Sequence, residues 1–265
     1  TDLVPLVTSG TPVELLFGAP NPRQFKKWVY SASVKHKFTE NFMAYANFGT
    51  SFRPGNNVVR FPASLGTSAL EKSFLFLPSE TSKSYEIGFK STLMNSLKAN
   101  VSIYQQDFKN YPYRSSSGVY TAHWDVASNP TRVSLVNFVA PVPVRVRGVE
   151  AEIEWNPSRN FSLSANLSYS LGNIKNGAIP CLDLNDDGVP DVVTAPPSLA
   201  TLVADVGANN VDTCTVNYRA SSASPWGANL TAEYSMPAGD TTEAFVRGLL
   251  SYSGSSLNDV ANSYD

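Results

Sequence analysis

The chain has 265 residues with 20 Lys and Arg against 22 Asp and Glu, and its formal net charge of −2 leaves no polybasic face for nucleic acid. Charged residues make up 16%, below the roughly 25% of soluble domains. No apolar run approaches the ~18 residues of a membrane helix, which excludes helical spans but not membrane strands, whose lipid-facing and lumen-facing residues alternate. The sequence opens at Thr1 with neither Met nor signal peptide and stops at Asp265 in a Ser/Asn-rich stretch, so an internal piece of a longer protein is expected.

Residues 1–27, punctuated by Pro5, Pro12, Pro20 and Pro22, read as irregular. Residues 28–38 alternate, with Trp28, Tyr30, Ala32, Val34 and Phe38 against Ser31, Ser33, Lys35 and Lys37. After the turn 39–41, Phe42, Ala44, Ala46 and Phe48 mark a second strand over 42–52. A Gly/Ser/Pro-rich loop is expected over 53–80. Next, Tyr85, Ile87, Phe89 and Leu93 oppose Ser84, Glu86, Gly88, Lys90 and Thr92. Met94-Asn95-Ser96 turns the chain, and Leu97, Ala99, Val101 and Ile103 then oppose Lys98, Asn100, Ser102 and Tyr104. A period of two is the strand period, and at ~3.3 Å per residue each arm of this hairpin is about 35 Å long. That exceeds the globular norm of about 5–6 residues and suits a tilted crossing of about 9–11.

Residues 109–143 read as a second long loop in which 132–139 form a strand or extend the next one. Over 144–155, Val149, Ala151, Ile153 and Trp155 oppose Glu150, Glu152 and Glu154. Beyond the turn 156–160, Phe161, Leu163, Ala165, Leu167, Tyr169 and Leu171 alternate with four serines and Asn166. A third loop over 173–224 precedes strands 225–236 and 243–254, joined by the turn 237–240.

The pattern predicts an all-β protein with eight long antiparallel strands. Its connections alternate between short turns and loops of about 28–52 residues, whereas loops beyond about 12–15 are uncommon in compact soluble domains. Transmembrane barrels have such short periplasmic and long extracellular connections. Aromatic residues at the strand ends (Trp28, Phe38, Phe42, Phe52, Trp155, Phe161, Trp226, Tyr252) suit interfacial girdles. The other parity is too rich in Ser, Thr, Asn and Glu for a sandwich core and suits a wet lumen. In particular, Leu163, Ala165, Leu167 and Tyr169 are expected to meet lipid.

In residues 183–191, Asp183, Asn185, Asp187 and Asp191 set oxygens around Gly188 as in the first part of a calcium loop. The twelfth position is Thr194, where a full loop of that kind has a bidentate Glu, so a plain Asp/Asn/Gly turn stays open beside possible calcium. Cys181 and Cys214 bracket this turn without further Cys or His for a metal site, and a disulfide between them is expected to restrict the unfolded chain by about 3–4 kcal/mol. Glu150, Glu152 and Glu154 stand about 7 Å apart along one face, a spacing that glycoside chemistry also uses. Three adjacent like charges read better as a lumen wall facing Arg145 and Arg147. His36 and His123 share no triad spacing, and there is no glycine-rich phosphate loop. Tyr111, Tyr113, Tyr120 and Trp124, with His123, either contact a planar or sugar-like ligand or pack loop on loop.

Pro78-x-Glu80, the run Ser84-Tyr85-Glu86-Ile87-Gly88-Phe89-Lys90, and Tyr104-x-x-Asp107-Phe108-x-x-Tyr111 together resemble the barrel of a TonB-dependent outer-membrane receptor. Arg147-Gly148-Val149-Glu150 is similar to that family's G-x-E-x-E strand. The resemblance implies a segment of a barrel of about 22 strands, with a plug inside it that these 265 residues lack, along with the closing C-terminal strands. It implies TonB-coupled uptake of a scarce bulky nutrient across the outer membrane of a Gram-negative bacterium, without covalent chemistry or a cofactor. The family's ligands include ferric siderophores, cobalamin, haem and oligosaccharides. Its partners are outer-membrane lipid, the small-molecule or oligosaccharide ligand, and the TonB complex through the plug. A passive porin-type channel and a soluble all-β carbohydrate-binding module are the alternatives. A partial barrel leaves residues 28–38 and 243–254 as edges that do not pair with each other.

Overall fold

A computed structural model describes residues 24–55, 68–114, 118–125 and 128–257. Most of the expected irregular segment 1–27, and the middle of the first long loop, lie outside the described residues.

Eight strands form one antiparallel sheet. These are β1 (Ser31–Thr39), β2 (Phe42–Arg53), β3 (Glu80–Leu93), β4 (Leu97–Arg114), β7 (Val139–Ser158), β8 (Phe161–Ile174), β11 (Trp226–Pro237) and β12 (Glu243–Ser253). Their order is β1-β2-β3-β4-β7-β8-β11-β12, so each strand lies beside its neighbour in chain order. β1 and β12 close the list at opposite ends and make no ladder with each other, as the partial-barrel reading expects.

Register explains why this sheet is a wall. Ala44 faces Phe89, Ile87 faces Ile103, Ile153 faces Ala165, and Leu167 faces Ala228, so one face is apolar from strand to strand. On the other face Asn47 meets Glu86, Asn100 meets Glu152, Asn166 meets Asn229, and Glu233 meets Arg247. A slip of one residue would exchange these faces, so the apolar pattern fixes the register. Aromatic side chains collect in two bands on the apolar face. Tyr30, Phe48 and Tyr85 with Tyr169 and Trp226 lie toward the long loops; Phe38, Phe42 and Phe89 with Trp155 and Phe161 lie toward the short turns.

The buried core is in the long loops, where the structure differs from the sequence reading. Residues 109–143 are not one loop. β4 runs on to Arg114, β7 starts at Val139, and between them β5 (Val119–Asp125) and β6 (Ser128–Val136) form a hairpin. Pro112, Pro141 and Pro143 concealed this continuation, because proline normally ends a ladder. Here Pro112 and Pro141 face each other, so the missing donors fall on one rung. A bulge between Phe108 and Tyr111, with Asn110 at φ 60°, lets β4 bend out of the wall, and Asn110 Nδ2 donates to the Ser79 carbonyl at 2.9 Å. The third loop contains β9 (Gly177–Cys181) paired with β10 (Asp212–Val216), and helix α2 (Leu199–Val206) between them. The first contains helix α1 (Ala69–Leu75).

These pieces form a cap. Val142, Val144, Ile174, Ile179, Val211, Val216, Phe74 and Phe138 are buried together in it. A second cluster gathers Ala122, Leu182, Leu202 and Val206. Cys181 and Cys214 are bonded across the β9–β10 pair, with Cα atoms 5.8 Å apart.

Candidate functional site: the lumen wall and the cap cavity

Two surfaces carry polar chemistry. The first is the lumen face of the wall. Lys98 meets Glu154 at 3.0 Å there, and Asn100 Nδ2 donates to Glu152 Oε2 at 3.0 Å. Arg145 and Arg147 have the other parity and share the outer face with Val149 and Ile153, where Arg145 Nε donates to Asp107 Oδ1 at 2.6 Å and Arg147 Nε donates to Gln105 Oε1 at 2.9 Å. Glu152 and Glu154 of β7 therefore line the lumen wall with partners on β4, and not with Arg145 and Arg147. The reason is parity: β7 has no bulge between Val144 and Trp155, so Arg145 and Arg147 point to the face opposite Glu150, Glu152 and Glu154, whose neighbours across the ladder are on β4.

Two tyrosines of this face lie flat on glycines of the next strand. A Cβ on Gly88 would come within 2.7 Å of the Tyr45 ring, and one on Gly148 would collide with Tyr104. Both glycines are needed for this close approach, which covers bare backbone with an aromatic ring. Tyr45, Ser102, Ser168, Gly227, Asn166 and Asn229 lie along one open trough of about 450 Å³, together with Glu150 and Glu152. Its polar groups are hydroxyls, amides, carboxylates and the Lys90 ammonium, which bind and release solutes by hydrogen bonds and charge.

The second surface is in the cap. A capping box starts α1: Ser68 Oγ accepts from Glu71 N–H at 2.9 Å, and Glu71 Oε2 accepts from Ser68 N–H at 3.2 Å. Glu71 is fully buried, and the same oxygen accepts from Asn210 Nδ2 at 3.1 Å. The Asn210 carbonyl accepts from Thr121 Oγ1 at 2.6 Å, so one residue ties α1, β5 and the end of α2 together. Ser68-x-x-Glu71 was the sequence signal for this joint.

Tyr111 packs edge-on against Phe108 at 5.8 Å, on the bulged part of β4. Tyr113 is buried in the first cluster, and Tyr120 packs against the second. Tyr113 and Tyr120 come together with Tyr218, which the sequence reading did not single out, around a cavity of about 410 Å³. Trp124 is on β5 opposite Pro130, and its side chain lies outside the described residues.

The turn 183–191 forms one wall of that cavity. Asp183 Oδ1 and Oδ2 accept from the N–H groups of Asp187 and Gly188, at 3.0 and 2.8 Å. Asn185 Oδ1 also accepts from Asp187 N–H, Asp187 Oδ1 accepts from Val189 N–H, and Asp191 Oδ2 accepts from Leu184 N–H. The four oxygen-bearing side chains therefore fold the turn through its own amides. Nearby, burial pushes the Asp212 carboxyl up to about 7, and the adjoining Asp205, then the charges of Asp183 and Asp186, add to the rise.

An antiparallel wall with an apolar outer face, a polar inner face and folded long loops at one end defines a sector of a transmembrane β-barrel. The family model described as "TonB dependent receptor-like, beta-barrel" matches residues 7–265. The chain belongs to the TonB-dependent receptor family, as a portion of its barrel. Its fold is similar to that of the ferric yersiniabactin uptake receptor FyuA from Yersinia pestis, with TM-score 0.53 and 14% identity over 88% of this chain and 27% of that one. It is also similar to a chain of the FpvAI–pyocin S2 complex, with TM-score 0.51 and 14% identity over 89% of this chain and 23% of that one. The chain thus spans about a quarter of the length of either structure.

Proposed function

We propose that this chain is part of the barrel of an outer-membrane receptor that takes up a scarce, bulky nutrient with energy coupled through TonB. The observation that carries the reading is the pairing of a polar lumen wall with a folded cap, in a chain of this receptor family. Capture belongs to the cap, where Tyr113 and Tyr120 line the cavity, and passage belongs to the amide- and carboxylate-lined lumen. The wall performs no covalent chemistry. The protein resides in the outer membrane of a Gram-negative bacterium, its apolar face against lipid. The short turns then face the periplasm and the cap faces outward: a cysteine at Ala208 should be labelled on intact cells by an impermeant maleimide, and one at Met94 should not.

The test is accumulation of labelled nutrients by cells producing the full-length protein, with and without a working TonB. A ferric chelate is the first to try, because the similar FyuA is a ferric yersiniabactin uptake receptor. Uptake that stops without TonB supports the proposal. Uptake indifferent to TonB would identify a passive channel instead.

A further inference from the structure

We infer that the cap cavity binds a compact aromatic or aliphatic group that carries a positive charge, with Asp191 as its counter-ion. This deepens the receptor reading and rests on it for the claim that the group belongs to a transported ligand.

The cavity lies between the β4 extension, the β5–β6 hairpin, β9 and the arm 182–193. Its volume of about 410 Å³ is within the roughly 300–1,000 Å³ of small-molecule sites. The inner wall is made by buried Tyr113, Val119 and Ile179, and tyrosines 120 and 218 flank it. Aromatic walls of this kind favour flat or aliphatic groups, and a tyrosine face attracts a cation.

Two observations select the sign of the charge. Among the described residues of the lining, Asp191 is the one carboxylate and there is no Lys, Arg or His. Its Oδ2 accepts from Leu184 N–H at 2.7 Å, and its own N–H donates to the Leu182 carbonyl at 2.7 Å. The side chain is thus held in place while Oδ1 remains available to a donor. In the third loop, residues 176–218 contain six Asp and no Lys, Arg, His or Glu, whereas Arg114, Arg132 and Arg219 are on flanking segments beyond the lining. An anion brought to this mouth would be repelled, and a cation would be attracted.

The mouth itself asks for a cover. Leu135, Val189 and Val192 are 57%, 56% and 83% exposed around it. Aliphatic side chains clustered at a wet opening lose favourable burial that a bound apolar group restores. The site is also built before any ligand arrives. The Cys181–Cys214 bond fixes β9, Thr215 N–H donates to the Gly188 carbonyl at 3.1 Å, and Gly118 turns at φ 72° into β5. Such rigidity lowers the ordering cost of binding.

The experiment uses the full-length receptor in lipid nanodiscs, with empty nanodiscs to subtract partition into lipid. Three probes of one shape are compared by fluorine NMR: trifluoromethylbenzylammonium, trifluoromethylbenzyl alcohol and trifluoromethylbenzoate. The ammonium should bind about tenfold more tightly than the alcohol, the size of one charge-assisted contact, and the benzoate more weakly than either. Asp191→Asn keeps an oxygen for Leu184 N–H and should make ammonium and alcohol alike. Val192→Trp, at the exposed rim, should weaken all three probes; Leu135→Trp at the rim supplies the same block if the first variant does not fold. Equal affinities for the three probes, or probe binding unchanged by both rim variants, would overturn the inference. TonB-dependent uptake with no discrimination among probes would sink only the cavity assignment. Discrimination without TonB-dependent uptake would sink only the receptor reading.

Discussion

The wall and the cap use the same apolar residues in opposite ways, and β7 shows both in one strand. Near its start Ala140, Val142 and Val144 are buried under the cap, with Val142 wholly inaccessible. Further along, Val149, Ile153 and Trp155 are each about two-fifths exposed on the outer face. Nothing in the side chains accounts for the change; the surroundings do. The cap stands in water and must bury its apolar groups against each other. On the proposed membrane reading the wall is solvated by hydrocarbon, so its apolar groups point outward and its polar ones inward. Wall stability therefore rests on closed hydrogen-bond ladders and lipid contact, whereas cap stability rests on packing.

The comparison can be broken most sharply at Ile174, which is fully buried in the cap at the end of β8. Ile174→Ala should cost about 2–5 kcal/mol through lost packing. Hydrogen exchange should locate the loss in cap amides, with wall amides left protected. Comparable loosening of β11 and β12 would mean that cap and wall are one cooperative unit.

Leu167→Arg tests the wall. It should cost about 2–4 kcal/mol if the site is near the bilayer midplane, while Ser168→Arg on the adjacent lumen position stays mild. Denaturant titration of both variants refolded in bilayers gives the answer. Equal costs at the two positions would contradict the assignment of faces.

A smaller effect is expected at Asp183, whose two oxygens hold two amides of the turn 183–191. Asp183→Ala should cost about 1–3 kcal/mol locally, read as faster proteolysis within the turn. The amide-held turn should keep the same proteolysis rate with calcium or with a chelator. Slower cleavage in calcium would assign the four oxygens to an ion.

The smallest change is with pH. The folded cap raises the Asp212 carboxyl from 3.8 to about 7. Folded protein thus holds a proton that the unfolded chain has released. The resulting stability is complete below pH 3.8 and is lost as pH rises through about 7. Cap amides should exchange faster at pH 8 than at pH 6 after correction for intrinsic rates, and Asp212→Asn should flatten the difference.

The wall was legible because each strand announces itself. Alternation at Val149–Trp155 or Phe161–Leu171 needs no knowledge of partners, and one apolar parity determines the face. The cap was hidden for three physical reasons. Pro112, Pro141 and Pro143 read as breaks, although the chain stays extended through them. β9 and β10 pair across a segment of about 30 residues, a separation that local patterns do not encode. Tyr113 read as a loop aromatic, although most of its ring packs in the core. The pairing of Glu154 with Lys98 was equally out of reach, since register belongs to two strands and not to one. The Ser68–Glu71 capping box could have been read.

β7 also has a mechanical meaning. Its 20 residues extend for about 66 Å without a break, from the cap core to the turn at the far side of the wall. β4 is bonded to it along most of that length. A pull along this pair loads its rungs in shear, so many hydrogen bonds share the force at once. The two form a stiff beam, and tension applied at the cap reaches the opposite rim with little stretch on the way.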